Sequence, residues 1–191
     1  MSERASALPG ADFEGVVRVA EAGLRGMVTL KADPGAAAQA VKAATGQAMP
    51  EARRIVEGAI SVAWMAPDEV LILCDHGQAD AMVARLTGAL AATHHLAVNV
   101  SDARAVFTLE GAAIRDTLAK ITPADMAALP LGEMRRTRLA QIPAAFWLSD
   151  EAHATVICFR SVARYAFDVL AMSARPGAEV GYHRAVASSG P

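Results

Sequence analysis

An α+β fold made of two split βαβ halves of the ferredoxin-like kind is what this sequence predicts, and three observations carry it. Of 191 residues 53% are hydrophobic, enough to bury a real core. The apolar residues alternate between short β-rich runs and single stretches at helical spacing. The resulting order, β, α, ββ, α, β and then β, α, βββ, α, states the same grammar twice, which predicts antiparallel or mixed sheets with helices on one side. Residues 13–175 are thus read as one α+β domain of two pseudo-repeated halves, about 13–101 and 102–175. A flexible arm, 1–12, precedes it and a flexible tail, 176–191, follows.

The elements follow in order. Residues 16–20 and 27–31 are β-rich and separated by Gly23, Arg25 and Gly26, so they read as a strand pair or one bent strand. Asp33 is placed as an N-cap, Pro34 at the first helical position and Gly46 as the stop of an Ala-rich helix reaching Thr45. Residues 47–57 mix Pro50 with charges and read as a loop. Residues 60–65 and 69–74 form a hairpin around the Ala66-Pro67-Asp68 turn. Asp75 is then expected to cap a helix over 78–92 with Ala81, Val83, Ala84, Leu86 and Leu90 on its apolar face, before a strand at 96–100. In the second half 105–109 is a strand, Gly111 opens a helix over 112–120, and 138–142, 145–148 and 154–159 are strands. Ser161 is expected to cap the last helix, 161–174, which buries Val162, Tyr165, Ala166, Val169 and Leu170.

The charge pattern excludes some functions. With a net charge of −2 and 20% charged residues there is no basic footprint for nucleic acid or an anionic membrane. No apolar run approaches the roughly 18 residues needed to cross a bilayer, so a cytoplasmic protein is expected. Cys74 and Cys158 lie in apolar runs without a CxxC partner and read as buried free thiols. No GxGxxG, GxxxxGK[ST] or GxSxG string occurs, so neither a dinucleotide cradle nor a nucleophile elbow is present. His94-His95 lacks acidic or thiol companions at ligand spacing and reads as a solvated helix C-terminus. Asp75-His76-Gly77 reads as a cap, and Asp102 beside Arg104 as an ion pair or turn cap. Catalytic, cofactor-binding and metal-ligating residues are all read as none.

One stretch carries a family resemblance. Ser101-Asp102-Ala103-Arg104 leads into Ala105-Val106-Phe107-Thr108-Leu109-Glu110-Gly111 and the following helix to Lys120, and this resembles the gamma subunit of heterotetrameric sarcosine oxidase. Gly26-Met27-Val28-Thr29-Leu30-Lys31, Trp64-Met65-Ala66-Pro67-Asp68-Glu69, Arg136-Thr137-Arg138-Leu139, Phe146-Trp147 and Arg160-Ser161-Val162-Ala163-Arg164-Tyr165 agree in order, so the likeness covers roughly 13–175. The family is related in fold to aminomethyltransferase folate-binding domains, which implies that the two halves pack as one folate-binding-domain-like unit. It also implies a non-catalytic subunit of an enzyme that oxidatively demethylates sarcosine to glycine. Alpha, beta and delta subunits are then the partners, and FAD, a covalent FMN, NAD and tetrahydrofolate belong to those partners rather than to this chain. A stand-alone folate-binding or aminomethyltransferase-like protein is the alternative, and it would need a buried acid to hold the pterin.

The mean hydropathy of +0.28 with only 5% aromatics is oily for a free monomer, which fits surplus surface covered by a partner. Residues 129–138 concentrate apolar and arginine side chains in what reads as a short loop. Leu129, Leu131, Met134, Arg135 and Arg136 are therefore the expected partner interface.

Overall fold

Four layers, helix, sheet, sheet and helix, make up the computed structural model, which describes residues 5–181. The chain runs β1 (Asp12–Phe13), β2 (Arg18–Glu21), β3 (Gly26–Ala32), α1 (Pro34–Thr45), β4 (Ile55–Val56), β5 (Ser61–Ala66), β6 (Glu69–Cys74), α2 (Ala79–Ala89) and β7 (His95–Asn99). It continues through β8 (Arg104–Glu110), α3 (Ile114–Ala119), β9 (Arg135–Leu139), β10 (Ile142–Asp150), β11 (His153–Phe159) and α4 (Ala163–Ser173).

The first sheet has the order β4-β5-β6-β3-β7 and the second β1-β2-β8-β11-β10-β9, with every pairing antiparallel. In the first, β3-α1-β5 and β6-α2-β7 are the two interleaved units of a split βαβ fold. In the second, β8, β10 and β11 repeat those positions, but the place beside β8 that a strand after α4 would fill is taken by β2. The chain's beginning thus completes its second half. For this reason β2 and β3, read from sequence as a strand pair or one bent strand, fall in different sheets. The Ala22 N–H still donates to the Val106 carbonyl of the second sheet at 2.9 Å, and Gly23, at φ 74°, then lets the chain leave for the first.

Period-2 alternation sorts the cores. Residues 28 and 30 on β3 and 70 and 72 on β6 face α1 and α2, while 107 and 109 on β8 and 146 and 148 on β10 face α3 and α4. The opposite faces meet each other: Met27, Ala63, Met65 and Leu71 of the first sheet pack against Val106, Ala145, Trp147 and Ile157 of the second. Helix α1 forms as read, with Asp33 Oδ1 accepting from the Gly35 and Ala36 N–H groups at 3.0 and 3.2 Å and Gly46 left-handed at φ 75°.

Helices α2 and α4 differ from the sequence reading in one shared way. Each follows its strand through a 3₁₀ turn, His76–Gln78 or Arg160–Val162. Such a turn advances about 120° per residue rather than 100°, so the buried stripe shifts in phase. Ala79, Met82 and Leu86 are buried on α2, with Leu90 buried just past its end, while Ala81 and Ala84 are exposed. On α4 the stripe is Ala163, Ala166, Leu170 and Ser173, and Tyr165 is exposed. Neither Asp75 nor Ser161 makes a side-chain cap bond.

Residues 5–12, read as a flexible arm, are tied down. Ser6 Oγ and the Ala7 N–H donate to the Glu21 carboxylate at 3.0 and 3.2 Å, Arg160 Nη2 donates to the Ala5 and Ser6 carbonyls at 2.9 Å, and Ala7 and Leu8 pack on the second core. Of the tail, residues up to 181 are held by Lys120 Nζ donating to the Ala178 carbonyl at 2.8 Å and by the Gly181 N–H donating to Asp116 Oδ2 at 2.8 Å. Residues 1–4 and 182–191 lie outside the described residues.

Candidate functional site

The expected interface segment is not a projecting loop. It runs along the border of both sheets, where Ile55 N–H donates to the Gly132 carbonyl at 3.1 Å, Met134 N–H to the Arg53 carbonyl at 2.9 Å and Gly132 N–H to the Leu148 carbonyl at 2.8 Å. That stitching turns two of the five expected contacts inward. Leu129, 2% exposed, joins the core under α3 and α4, and Met134, 1% exposed, joins the core between the sheets, so neither is available to a partner. Leu131 remains exposed.

Arg135 and Arg136 open strand β9, the border strand of the second sheet, instead of sitting in a loop. Arg135 is engaged within the chain: Glu133, only 8% exposed, holds Arg135 Nη2 at 2.6 Å and Arg53 Nη2 at 3.1 Å through one oxygen. Arg136 is exposed along part of its length, and its Nη1 donates to the Met65 carbonyl at 2.7 Å. Of the five, Leu131 and Arg136 are therefore the side chains that reach the surface without an ion pair.

Beside them the register assembles a group that the sequence alone hides. Arg104 pairs with Phe159 across β8 and β11, and Pro143 pairs with Arg138 across β10 and β9. All four lie on the face that elsewhere packs against the first sheet, since they keep the parity of Val106, Ile157, Ala145 and Met134. Together with Met65 and Arg136 they line an open-mouthed cavity of about 370 Å3. The Arg104 guanidinium carbon lies 4.9 Å from the Phe159 ring centroid, within cation–π range. Burial pushes the pKa of Arg104 down, helped by Arg136 and opposed by Glu69. Cys158 also lines this cavity, and burial pushes its thiol up to about 11, so it is neutral at physiological pH.

The remaining candidates are dispersed. Asp102 does not pair with Arg104; it is exposed and sits 3.7 Å from His76 Nε2. The Asp75 side chain is not a cap, though its carbonyl accepts from the Gln78 N–H at 2.9 Å. His94 and His95 lie beyond the end of α2 rather than at its C-terminus: His95 begins β7, its Nδ1 2.8 Å from the Thr93 carbonyl, and both line a second cavity of about 430 Å3 with Lys31 and Asp68. Among the described residues no group of three or more His, Cys, Asp or Glu is placed to hold a metal ion. Ser101 is buried, its hydroxyl accepting from the Met27 N–H at 2.9 Å and donating to Asn99 Oδ1 at 2.6 Å, which fastens the turn between β7 and β8 to β3. Cys74 and Cys158 are free, as read, and sit in different cores.

The family model described as "Sarcosine oxidase, gamma subunit family" matches residues 29–175. A curated relative, sarcosine oxidase subunit gamma of Corynebacterium sp. (strain U-96), is 34% identical over 155 residues, covering 77% of this chain and 75% of its own. Among solved structures, a chain of the heterotetrameric sarcosine oxidase from Corynebacterium sp. U-96 in complex with pyrrole 2-carboxylate superposes with a TM-score of 0.77 at 26% identity, over 85% of this chain and 86% of that one. The glycine cleavage system aminomethyltransferase T from Bartonella henselae superposes with a TM-score of 0.65 at 12% identity, covering 83% of this chain but 46% of its own. At that identity the second likeness is one of fold alone.

Proposed function

This chain belongs to the sarcosine oxidase gamma subunit family, and from that premise we propose that it is the non-catalytic subunit of a heterotetramer that oxidatively demethylates sarcosine to glycine. In this reading alpha, beta and delta chains are its partners and carry FAD, covalent FMN, NAD and tetrahydrofolate, and this chain binds none of them. The observation that carries the reading is the match across both halves, residues 29–175, to one named subunit of the complex.

The fold supports it in two ways. Side chains of chemical promise have structural work, as Ser101 ties the turn after β7 to β3 and Cys158 is held neutral in a core. Apolar surface is also left uncovered: Leu96 and Val98 of β7 pair with Lys31 and Thr29, on the face of the first sheet that the second sheet does not reach at this border. An exposed apolar strip on a border strand is what a partner covers. Leu131 and Arg136, at the opposite border, have the apolar-plus-arginine character that interfaces enrich.

Co-expression with the alpha, beta and delta chains of the same enzyme tests the reading. The four are expected to co-purify, with the isolated chain showing neither flavin absorbance nor sarcosine oxidation. A flavin band or turnover in the isolated chain would sink it. In the same assay Leu131→Asp, with Arg136 kept because its Nη1 holds the Met65 carbonyl, is expected to bind its partners about tenfold more weakly, a typical loss at an interface anchor, while the isolated chain melts as wild type does. Arg135 is left intact because reversing it would break its bond to Glu133.

A further inference from the structure

The inner face of the second sheet does not stay apolar to its border. Where Val106, Ile157 and Ala145 meet the first sheet the contact is apolar and buried, but two residues along each strand the first sheet has ended at Met65. The same face there carries Arg104, Phe159, Pro143 and Arg138, with Arg136 closing one side. An inter-sheet face that changes from valine and isoleucine to arginine is built for an occupant other than the facing sheet.

We propose that this cavity is an anion-binding site in which Arg104, Arg136 and Arg138 clamp an oxyanion, a carboxylate or a phosphate, beside the Phe159 ring. Hydrogen-bond accounting carries the argument. The Arg104 side chain is partly buried, makes no hydrogen bond or ion pair among the described residues, and keeps its Nε shut away from solvent without an acceptor. Stacking on Phe159 engages the face of the guanidinium but none of its in-plane N–H donors. Arg138 makes no hydrogen bond or ion pair among the described residues, and Arg136 uses one donor, on Met65.

Among the described residues no counter-charge lines the cavity. Glu69 is the acidic group whose field reaches Arg104, and it already faces Lys31 at 3.7 Å. Cys158 is a neutral thiol at physiological pH. Three converging guanidiniums without a carboxylate repel one another, and a planar fork that matches carboxylate and phosphate geometry is the specific use of arginine. A volume of about 370 Å3 is that of a small-ligand site and exceeds what one bridging water needs. The same chemistry has two sources, a free small anion or the carboxylate of a neighbouring subunit's side chain, and the test separates them.

The purified full chain would be titrated with inorganic phosphate and with succinate at constant ionic strength, reading thermal unfolding and heat of binding against a chloride control. Saturable stabilisation by at least one of the two is expected, weakened about tenfold by Arg138→Gln through the loss of one charge-assisted contact. Arg104→Met is expected to abolish the response and also to raise the melting temperature of the anion-free chain, because it removes a partly buried cation that lacks a partner. A purely structural arginine would do the reverse. If neither anion binds saturably, or if Arg138→Gln and Arg104→Met respond as wild type does, the site does not exist; should Arg104→Met fail to fold, Arg138→Gln alone decides. Repeating the titration on the assembled complex assigns the source, since a retained response means a free anion and a response lost only on assembly means a partner carboxylate. The first titration uses the isolated chain, so its outcome is independent of whether the complex forms.

Discussion

Replacing Glu133 tests the joint between the two sheets. Its carboxylate receives Arg135 at 2.6 Å and Arg53 at 3.1 Å, and the two arginines reach it from different segments of the chain, one from β9 and one from the stretch before β4. A hydrogen bond to a charged group contributes about 1.5–3 kcal/mol when well shielded. Arg53 is half-exposed and Arg135 about a third exposed, so solvent screening discounts both, and Glu133→Ala is expected to cost about 2 kcal/mol in total. Arg135 Nη2 would then lose its acceptor beside an Nε that already lacks one, leaving a partly buried guanidinium without a counter-charge at that end. For a chain of this size the cost corresponds to a fall of about 4–8 °C in melting temperature, measured by circular dichroism on the isolated chain. Glu133→Gln, which keeps an acceptor but not the charge, is expected to fall between the two. A Glu133→Ala chain melting within about 1 °C of wild type would show that the backbone stitching alone holds the sheets together and that the carboxylate adds nothing.

Two further outcomes follow from the fold. Because burial raises the Cys158 thiol to about 11 from its ordinary 9.0, the unfolded thiol ionises first as pH rises; stability is full below 9.0 and falls through that window. Urea midpoints measured across it are expected to decline less steeply for Cys158→Ala than for wild type, and equal slopes would place the thiol in solvent. Deleting residues 1–25 removes Val17 and Val19, both fully buried, and leaves β8 as a bare border strand. The truncated chain is expected to lose its cooperative melt, and a synthetic peptide of residues 5–25 to restore it, whereas a truncated monomer that melts like wild type would mean β2 is dispensable.

The element grammar was legible because it is local. Asp33, Pro34 and Gly46 bound α1 through bonds made within a few residues, and the 61–74 hairpin closes on its own turn. What was not legible is what depends on partners distant in sequence. That β2 belongs beside β8 is decided by the free edge of a strand about ninety residues on, and nothing in residues 16–31 signals it. The phase of the stripes on α2 and α4 turned on a single 3₁₀ turn each. The interface reading failed at Leu129 and Met134 for the same reason: a run of apolar and arginine residues does not say which of them cross into a core, and the bonds that decide it lead to residues 53–55 and 148. Arg104 was visible but misread, since its neighbour in sequence, Asp102, turns to His76, while its neighbours in space are Phe159 and two arginines from β9.

One geometric cause underlies both uncovered regions. The two sheets do not overlap fully, so each presents to the outside a strip of the face that is elsewhere buried against the other. On the first sheet the strip is apolar, Leu96 and Val98; on the second it is Phe159 among three arginines. Apolar atoms gain from any dry cover, and such a strip constrains its partner only by shape and hydrophobicity. Guanidiniums gain only from an acceptor of matching charge and geometry, and pay a desolvation penalty under any other cover. The same offset therefore yields two surfaces of different selectivity. The apolar strip selects its cover by shape, and the arginine strip selects its occupant by charge.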